Sequence, residues 1–416
     1  MKIAHLLRRF SFAEWGGTET VVWNTAREMH RCGHDPEILA TRALNPVAEE
    51  TKEGISIRRF PYFYPLFPLS AANRARLDKK GGNPWSPQLA AYLRHHDFDL
   101  LHCHTMGRLG ALARREAARR RIPLVVSFHG GCYDVPAAEI AEMCRPMRHS
   151  FNYGRILDLL GGLNGDFVAA ADGIICVGYN EYELARQKFP DKAVTYIPNG
   201  VDPEHFRTRS GIDFRQRHHL PPGRKIMLCV SRIDYQKNQL ALIRMLQLLR
   251  ESEGPDRLPQ LVLIGPITAD YYYRDLRAAI AAAGLEEQVT IIPGLAPDDP
   301  ELPAAYHAAD VFALPSRHEP FGIVVLEAWA AGVPVMAAAV GGLCRLITDG
   351  ETGLLLPSDD AAAMADAWRR LQRDTDLRRR LTATATAAVN REYSWTNITG
   401  RVMAFYEEVK HGRNRS

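Results

Sequence analysis

The sequence predicts an α/β protein made of two Rossmann-like doubly wound domains with a cleft between them. Three observations predict it. Short apolar runs alternate with longer helical stretches along most of the 416 residues. The apolar runs span five or six residues, as in parallel strands buried on both faces. The alternation restarts after residue 200, beyond the polar stretch Arg207–His219 and Pro221-Pro222-Gly223, so one unit ends there and another begins.

In the first half, a strand over 2–8 follows Met1. Its apolar core is too short for a signal peptide. Further strands are expected at 36–41, 55–60, 99–104, 123–129, 173–178 and 193–198. Helical patterns lie at 18–32, 86–96, 107–120, 136–160 and 180–188. In the second half, strands fall at 224–231, 260–265, 289–293, 310–315, 333–338 and 353–356. Helices fall at 237–252, 270–283, 300–308, 321–331, 359–371 and 375–390. The expected division is a first domain over 1–199, a linker over 200–223 and a second domain over 224–392. A last helix within 393–416 follows Tyr393-Ser394-Trp395-Thr396; its pattern leaves open whether it crosses back to the first domain.

Lys and Arg number 52 against 48 Asp and Glu, a net charge of +4. That excludes a nucleic-acid binder driven by charge and a disordered acidic chain. The balance is uneven: residues 1–200 hold 26 basic and 21 acidic residues, and residues 201–416 hold 26 and 27. A basic half could face an anionic membrane or substrate, or the surface charge could be scattered without purpose. No stretch of 18 apolar residues occurs, so no spanning helix is expected. The seven cysteines are scattered and several lie in apolar runs such as Ile174-Ile175-Cys176-Val177. Buried thiols in a reducing cytoplasm fit that pattern better than a disulfide framework.

One segment is unusual. Arg58-Arg59-Phe60-Pro61-Tyr62-Phe63-Tyr64-Pro65-Leu66-Phe67-Pro68 crowds aromatics and prolines, and Arg74, Arg76, Lys79 and Lys80 follow. Proline at that density opposes a helix or a central strand. Aromatic plus basic character suits a membrane interface or a lipid-linked acceptor. The plainer reading is a loop packed on its own domain.

The densest chemistry lies in Pro315-Ser316-Arg317-His318-Glu319-Pro320-Phe321-Gly322-Ile323-Val324-Val325-Leu326-Glu327. A strand is expected to end near Ser316 and a helix to start near Phe321, with Pro320 where a helix tolerates proline. The amides at that helix start suit a phosphate. Glu319 and Glu327 would lie roughly 12 Å apart along eight helical residues, about the span from sugar to ribose in a sugar nucleotide. Two solvated glutamates on an amphipathic helix are the alternative.

Val230-Ser231-Arg232 ends another strand, and Lys237 opens the helix after it. Two cations there can stabilise charge on a departing diphosphate without a metal; alone, they would be surface charge. Gly16-Gly17 lets a backbone approach a ligand closely, but the pattern lacks the dinucleotide G-x-G-x-x-G. His129 ends strand 123–129, where a lone histidine is more often structural.

Together these residues resemble the retaining glycosyltransferases of the GT-B fold, particularly family 4, the glycosyl transferases of group 1. Glu319 to Glu327 matches their E-x7-E signature. Gly16-Gly17-Thr18-Glu19 looks like the N-terminal glycine loop, and Phe128-His129-Gly130 like the His-Gly turn. Ile197-Pro198-Asn199-Gly200-Val201-Asp202 looks like the hinge, and Ser231-Arg232 through Lys237-Asn238 like the phosphate clamp. Ala330-Ala331-Gly332-Val333-Pro334-Val335 and Asp349-Gly350-Glu351-Thr352-Gly353-Leu354 complete the order.

The resemblance implies a hexosyltransferase that uses a nucleotide diphosphate sugar, UDP before GDP, and needs no metal or other cofactor. Reaction would proceed by front-face attack with retention. It implies catalytic roles for Glu319, His129, Arg232 and Lys237, with Glu319 orienting the sugar and His129 touching it. Nucleotide-sugar contacts would come from Gly17, Arg232, Lys237, Leu295, Phe321, Gly322, Ile323 and Glu327. The first domain would take a hydroxyl acceptor, lipid-linked or anionic, in a cytoplasmic protein peripheral to the inner face of the membrane.

One departure stands out: the family's Gly-Gly-x-x-Glu is here Gly341-Gly342-Leu343-Cys344-Arg345, which removes an acid that could contact the donor. A sugar-nucleotide epimerase, a glycosyl phosphorylase and a silent binding homologue remain as alternatives. Asp97-Phe98-Asp99 imitates a D-x-D metal motif but precedes an apolar strand, so it reads as a strand start. His102-Cys103-His104 imitates a metal site. Neighbouring strand residues alternate faces and no other ligand set is expected nearby, so no metal is assigned. Arg119-Arg120-Arg121 suits a helix C-terminus.

Overall fold

The order of strands explains most of what this chain positions. The computed structural model describes residues 1–13, 16–79, 81–130, 147, 150–163, 165–296 and 299–413. Two compact units form, one from Met1–Pro198 with Ile398–Ser416 and the other from Asn199–Asn397.

In the first unit the strands are β1 (Lys2–Arg9), β2 (Asp35–Thr41), β3 (Glu49–Lys52), β4 (Ile55–Phe60), β5 (Leu66–Phe67), β6 (Leu100–Cys103), β7 (Leu124–Phe128), β8 (Phe151–Asn152), β9 (Gly173–Cys176) and β10 (Ala193–Tyr196). Eight of them form one sheet in the order β10-β9-β7-β6-β1-β2-β4-β3. Every pairing is parallel except β3 with β4. Strands such as β6 and β7 are buried at every residue, as parallel strands covered on both faces are, although each carries one polar residue, His102 and Ser127. The order reverses direction between β1 and β6, and such a switch point opens a crevice at the carboxyl ends of the strands.

The second unit holds β11 (Ile226–Val230), β12 (Gln260–Ile264), β13 (Val289–Ile292), β14 (Val311–Leu314), β15 (Val335–Ala338) and β16 (Leu354–Leu356). Its sheet runs β13-β12-β11-β14-β15-β16, all parallel. Counted within the unit this is 3-2-1-4-5-6, the dinucleotide-fold order, with its switch point between β11 and β14. Met227, Leu261, Val311 and Met336 join helix residues such as Leu246 and Trp368 in its core.

Several expectations change. Residues 200–223 are not bare linker: Pro203–Arg207 and Phe214–Arg217 are helical, and Phe206, Phe214 and Leu220 are buried. Asp202 and Asp213 cap those helices with their side chains, a local signal that the proline-rich composition masked. Of the helix expected over 136–160, residues 136–146 lie outside the described residues. The described end holds β8 and the helix Gly154–Leu160. Strand β3, Glu-Glu-Thr-Lys, and the helix Ala71–Lys79 gave no apolar pattern; only Leu77 of that helix is buried.

The last helix, Trp395–Arg413, packs in the first unit from Ile398 onward. A Cβ on Gly173 would stand 2.6 Å from Val409 and 2.9 Å from Phe405, so glycine on β9 lets that helix sit against the sheet.

The aromatic–proline segment is mostly packed. Arg59 and Tyr64 are buried, and the Tyr62 and Tyr64 hydroxyls donate to Asp78 Oδ1 at 2.6 and 2.9 Å. Pro61, Phe67 and Pro68 are exposed, and Phe67, at 72%, pairs across strands with Phe151, 69% exposed. Among the described residues no helix is long and apolar enough to cross a membrane.

Candidate active site

In the second unit the candidate residues gather at the switch point. The loop after β11 carries Arg232 and Lys237, and the loop after β14 carries Glu319. The helix that follows Lys237 begins at Gln239, two residues later than expected, because Asn238 takes a left-handed φ of 56°. Asn238 is held there by side-chain donation from Nδ2 to the Pro315 carbonyl at 3.2 Å and to Asp359 Oδ1 at 2.7 Å. Gln239 Nε2 donates to Ser231 Oγ at 2.9 Å and to the Arg232 carbonyl at 2.8 Å. Both side chains are buried, so these bonds pin the two loops together in a water-poor setting.

The result is an ion pair: Lys237 Nζ lies 2.6 Å from Glu319 Oε2, with side-chain exposures of only 13% and 9%. Ser316 Oγ approaches the same oxygen at 3.5 Å. Arg232 donates to Gln236 Oε1 at 3.0 Å and pairs with Asp234 at 3.2 Å, yet stays 38% exposed. Gln236 in turn donates to the His318 carbonyl at 3.1 Å. The arrangement offers a partly accessible guanidinium and an ammonium beside an oriented carboxylate, suited to anion binding and hydroxyl recognition.

The helix that was expected over 321–331 runs from Ile323 to Ala330. Gly322, at φ 96°, is its N-cap, a conformation no helix interior admits. Pro320 therefore belongs to the loop, and Glu319 lies outside the helix. Ile323 to Glu327 is four helical steps, a rise of roughly 6 Å, so only that part of the Glu319–Glu327 span is helical. Phe321 is buried and Ile323 is partly accessible. Leu295 is partly accessible and follows the edge strand β13.

Glu327 accepts a bond from the Tyr306 hydroxyl at 2.7 Å. Burial of its carboxyl group pushes its pKa up from 4.5 to about 7, against the opposing pull of that hydroxyl. Burial also holds the Tyr306 phenol well above its ordinary value.

Gly341-Gly342 lies directly on the Glu319 loop. Gly342 N–H donates to the Glu319 carbonyl at 2.8 Å. A Cβ would stand 2.4 Å from that oxygen at Gly341 and 2.0 Å from the Pro320 carbonyl at Gly342. Arg345 is exposed on the short helix Leu343–Leu346.

In the first unit, Gly17 opens the helix Gly17–Arg31 after β1. Among the described residues a Cβ there would meet nothing within 4 Å, so none of their packing demands glycine. His129 follows β7, and Gly130 N–H donates to the buried Glu181 Oε2 at 3.0 Å. His129 has company that the sequence reading denied to His102-Cys103-His104. His5 on β1 lies opposite His102 on β6, and nitrogens of His5, His102 and His104 lie within 4.8 Å of one another. Parallel pairing of β1 with β6 brings together residues 97 apart in sequence, which local spacing could not reveal. Asp99 does act at a strand start, its Oδ2 accepting from Lys2 N–H at 2.7 Å.

Sequence reasoning missed Gln236, Tyr306 and Asp359 as well. Asn238 and Gln239 stood beside Lys237 and carried a signal: polar residues at a helix start with no capping geometry of their own.

Residues 15–205 match the family model described as Glycosyltransferase Family 4, and residues 212–388 match that of Glycosyl transferases group 1. The chain is 32% identical over 410 residues to the D-inositol 3-phosphate glycosyltransferase of Nocardia farcinica, covering 94% of this chain and 84% of that protein. It is 30% identical to the protein of that name from Stackebrandtia nassauensis, covering 95% and 87%. Among solved structures it is similar to sucrose-phosphate synthase from Thermosynechococcus elongatus, with a TM-score of 0.72, 23% identity and 99% of both chains covered. It is also similar to Anabaena HepE in complex with UDP and glucose, with a TM-score of 0.71, 20% identity, and 98% and 100% covered.

Proposed function

The chain belongs to the glycosyl transferases of group 1, and from that premise we propose that it is a retaining, metal-independent hexosyltransferase. The donor is a nucleotide diphosphate sugar, UDP-linked before GDP-linked, and the acceptor is a hydroxyl.

The observation that carries the reading is the Lys237–Glu319 pair beside an accessible Arg232. As the sugar leaves, negative charge grows on the diphosphate. Arg232 and the remaining Lys237 N–H groups stabilise that charge, the task a metal performs elsewhere. Glu319, held by Lys237, accepts bonds from sugar hydroxyls and fixes the ring. In this reading it does not attack. The acceptor hydroxyl approaches on the face the diphosphate leaves, gives its proton to the departing phosphate oxygen, and the anomeric configuration is retained. Glu327 receives the ribose hydroxyls, and the amides of Gly322 and Ile323 meet phosphate. Gly17, Phe321 and Leu295 complete the donor contacts, and His129 touches the sugar.

The acceptor proposed is a phosphate-bearing polyol, free or lipid-linked. The relatives named for D-inositol 3-phosphate and the positive excess of residues 1–200 support it. Exposed Phe67, Phe151, Ile156, Leu159 and Leu160 support contact with the cytoplasmic face of a membrane.

The test is a screen of UDP-, GDP- and ADP-hexoses with and without inositol phosphates, following nucleotide release and the product anomer by NMR, with and without EDTA. Retention with EDTA-resistant turnover is expected. An inverted product, or loss of turnover in EDTA, would sink the mechanism. Epimerised donor without acceptor would favour the epimerase.

A further inference from the structure

Gln236 joins the two loops that carry the site. Its main-chain carbonyl accepts from the Arg317 N–H at 2.8 Å. Its side-chain Nε2 donates to the His318 carbonyl at 3.1 Å, and its Oε1 accepts from Arg232 Nη2 at 3.0 Å. Arg317 and His318 directly precede Glu319. A residue of the loop after β11 is therefore bonded twice to the loop after β14 and once to a partly exposed cation.

The partners allow this amide only one orientation. A carbonyl oxygen can only accept and a guanidinium can only donate. The amide nitrogen must face His318 and the amide oxygen must face Arg232. A flipped amide would set acceptor against acceptor and donor against donor. The two bonds to residues 317 and 318 fix Gln236, and its oxygen then fixes Arg232.

Arg232 has a second anchor. Its Nη1 lies 3.2 Å from Asp234 Oδ2. Asp234 is itself held, its Oδ1 accepting from the Lys237 N–H and its Oδ2 from the Thr268 hydroxyl, both at 3.1 Å. The two anchors take different terminal nitrogens, so the planar fork is held at two points. Three of its five N–H groups remain for a ligand. The Arg232 side chain is 38% exposed, and removal of either anchor would let it sample other rotamers.

We infer that Gln236 is a positioning residue that holds the Arg232 guanidinium in place for a diphosphate. A cation ordered before the anion arrives spares the reaction the cost of ordering it later. The link to a leaving diphosphate rests on the proposed glycosyl transfer; the placement of Arg232 for a phosphate anion does not.

The experiment is a double-mutant cycle between Gln236 and Arg232 on the full chain. It is read by kcat/KM for transfer and by calorimetric affinity for inorganic pyrophosphate, which needs neither base nor sugar. Gln236→Ala should lower both roughly tenfold, the effect of one charge-assisted hydrogen bond. In the Arg232→Ala background the same change should lower either less than about twofold. A residue that only held the loops together would cost the same in both backgrounds. Gln236→Met fills the space of glutamine without its bonds and repeats the cycle should alanine loosen the loop. Equal losses in the two backgrounds, wild-type pyrophosphate affinity in Gln236→Ala, or no pyrophosphate binding by the wild type would overturn the inference. If no sugar is transferred but the pyrophosphate cycle is non-additive, the proposed function fails and the positioning role stands. If sugar is transferred and the losses are additive, the function stands and the positioning role fails.

Discussion

The Lys237 ammonium lies 2.6 Å from Glu319 Oε2 although 82 residues separate them. The sheet order explains the meeting. β11 and β14 are neighbours at the point where the strand order reverses, so the loops leaving them share one crevice. Each residue holds the other's charge in a setting where little water can replace it.

That coupling predicts unequal effects from the two halves of the pair. Lys237→Ala leaves a poorly solvated carboxylate without its partner, a loss on the order of 3–5 kcal/mol for a buried pair. Its thermal midpoint should therefore fall as well as its rate. Glu319→Gln keeps the shape and an oxygen that can accept from Lys237 Nζ, so it should lose less stability than Lys237→Ala although the ammonium loses its counter-charge, while kcat drops about 10²–10³-fold. Wild-type rates in Glu319→Gln would show that the carboxylate plays no part in the transition state.

Glu327 predicts a pH dependence of nucleotide binding. Its pKa is raised to about 7 by burial, so near neutrality the free protein holds much of it protonated. Ribose hydroxyls that donate to the ionised form would pull off that proton. UDP should then bind more tightly as pH rises from about 6 to 8. Glu327→Gln should flatten this component, which separates it from titration of the ligand. Tyr306→Phe removes a hydroxyl that lowers the pKa, so its midpoint should move upward. Identical profiles in all three proteins would detach Glu327 from the ligand.

Gly341 predicts a steric effect on Glu319. Its φ is 51° and a Cβ would stand 2.4 Å from the Glu319 carbonyl oxygen. Backbone cannot yield as a side chain can. Gly341→Ala should cost roughly 1–3 kcal/mol and lower kcat at least about tenfold by moving the Glu319 loop. A fully active, fully stable alanine variant would contradict the geometry.

Much of this was legible in the chain. Parallel strands such as β14 and β15 are buried at every residue and announce themselves as apolar runs. Glu319, Lys237 and Arg232 could be picked out because each sits where a strand hands over to a helix. The helix start was misread because proline at 320 and glycine at 322 are both helix-boundary signals, and only φ decides between them. The partners of the site were not legible. Tyr306 lies in the run Ala304-Ala305-Tyr306 that reads as plain core. His5 reads as one polar residue in a strand until β1 and β6 pair.

The exposed apolar surface predicts vesicle binding. Phe67 and Phe151 face each other across β5 and β8 at 72% and 69% exposure, and Leu160 is 79% exposed. Burying such side chains in an interface is favourable by roughly 1.5–3 kcal/mol each when complete. Replacing Phe67, Phe151 and Leu160 with serine should weaken sedimentation with anionic vesicles at least about tenfold and leave sugar-nucleotide hydrolysis intact. A wild-type chain that ignores such vesicles would remove the lipid version of the acceptor.

The buried histidines predict acid lability of the first unit. In an unfolded chain a histidine titrates near 6.5. Within the fold His5 stays neutral down to about 3 and His129 down to about 4. Between about 6.5 and 4 the unfolded state therefore binds protons that the folded state refuses, and stability falls as pH falls. Above about 7 both states are neutral and these rings add no slope. Glu327 runs the other way: with its pKa raised, stability rises on acidification between about 7 and 4.5. The two trends are separated by substitution. His5→Phe should remove up to one proton's worth of slope, roughly 1.4 kcal/mol per pH unit, in denaturant titrations compared at pH 6 and 5. An unchanged slope would mean that His5 takes up its proton in the folded state.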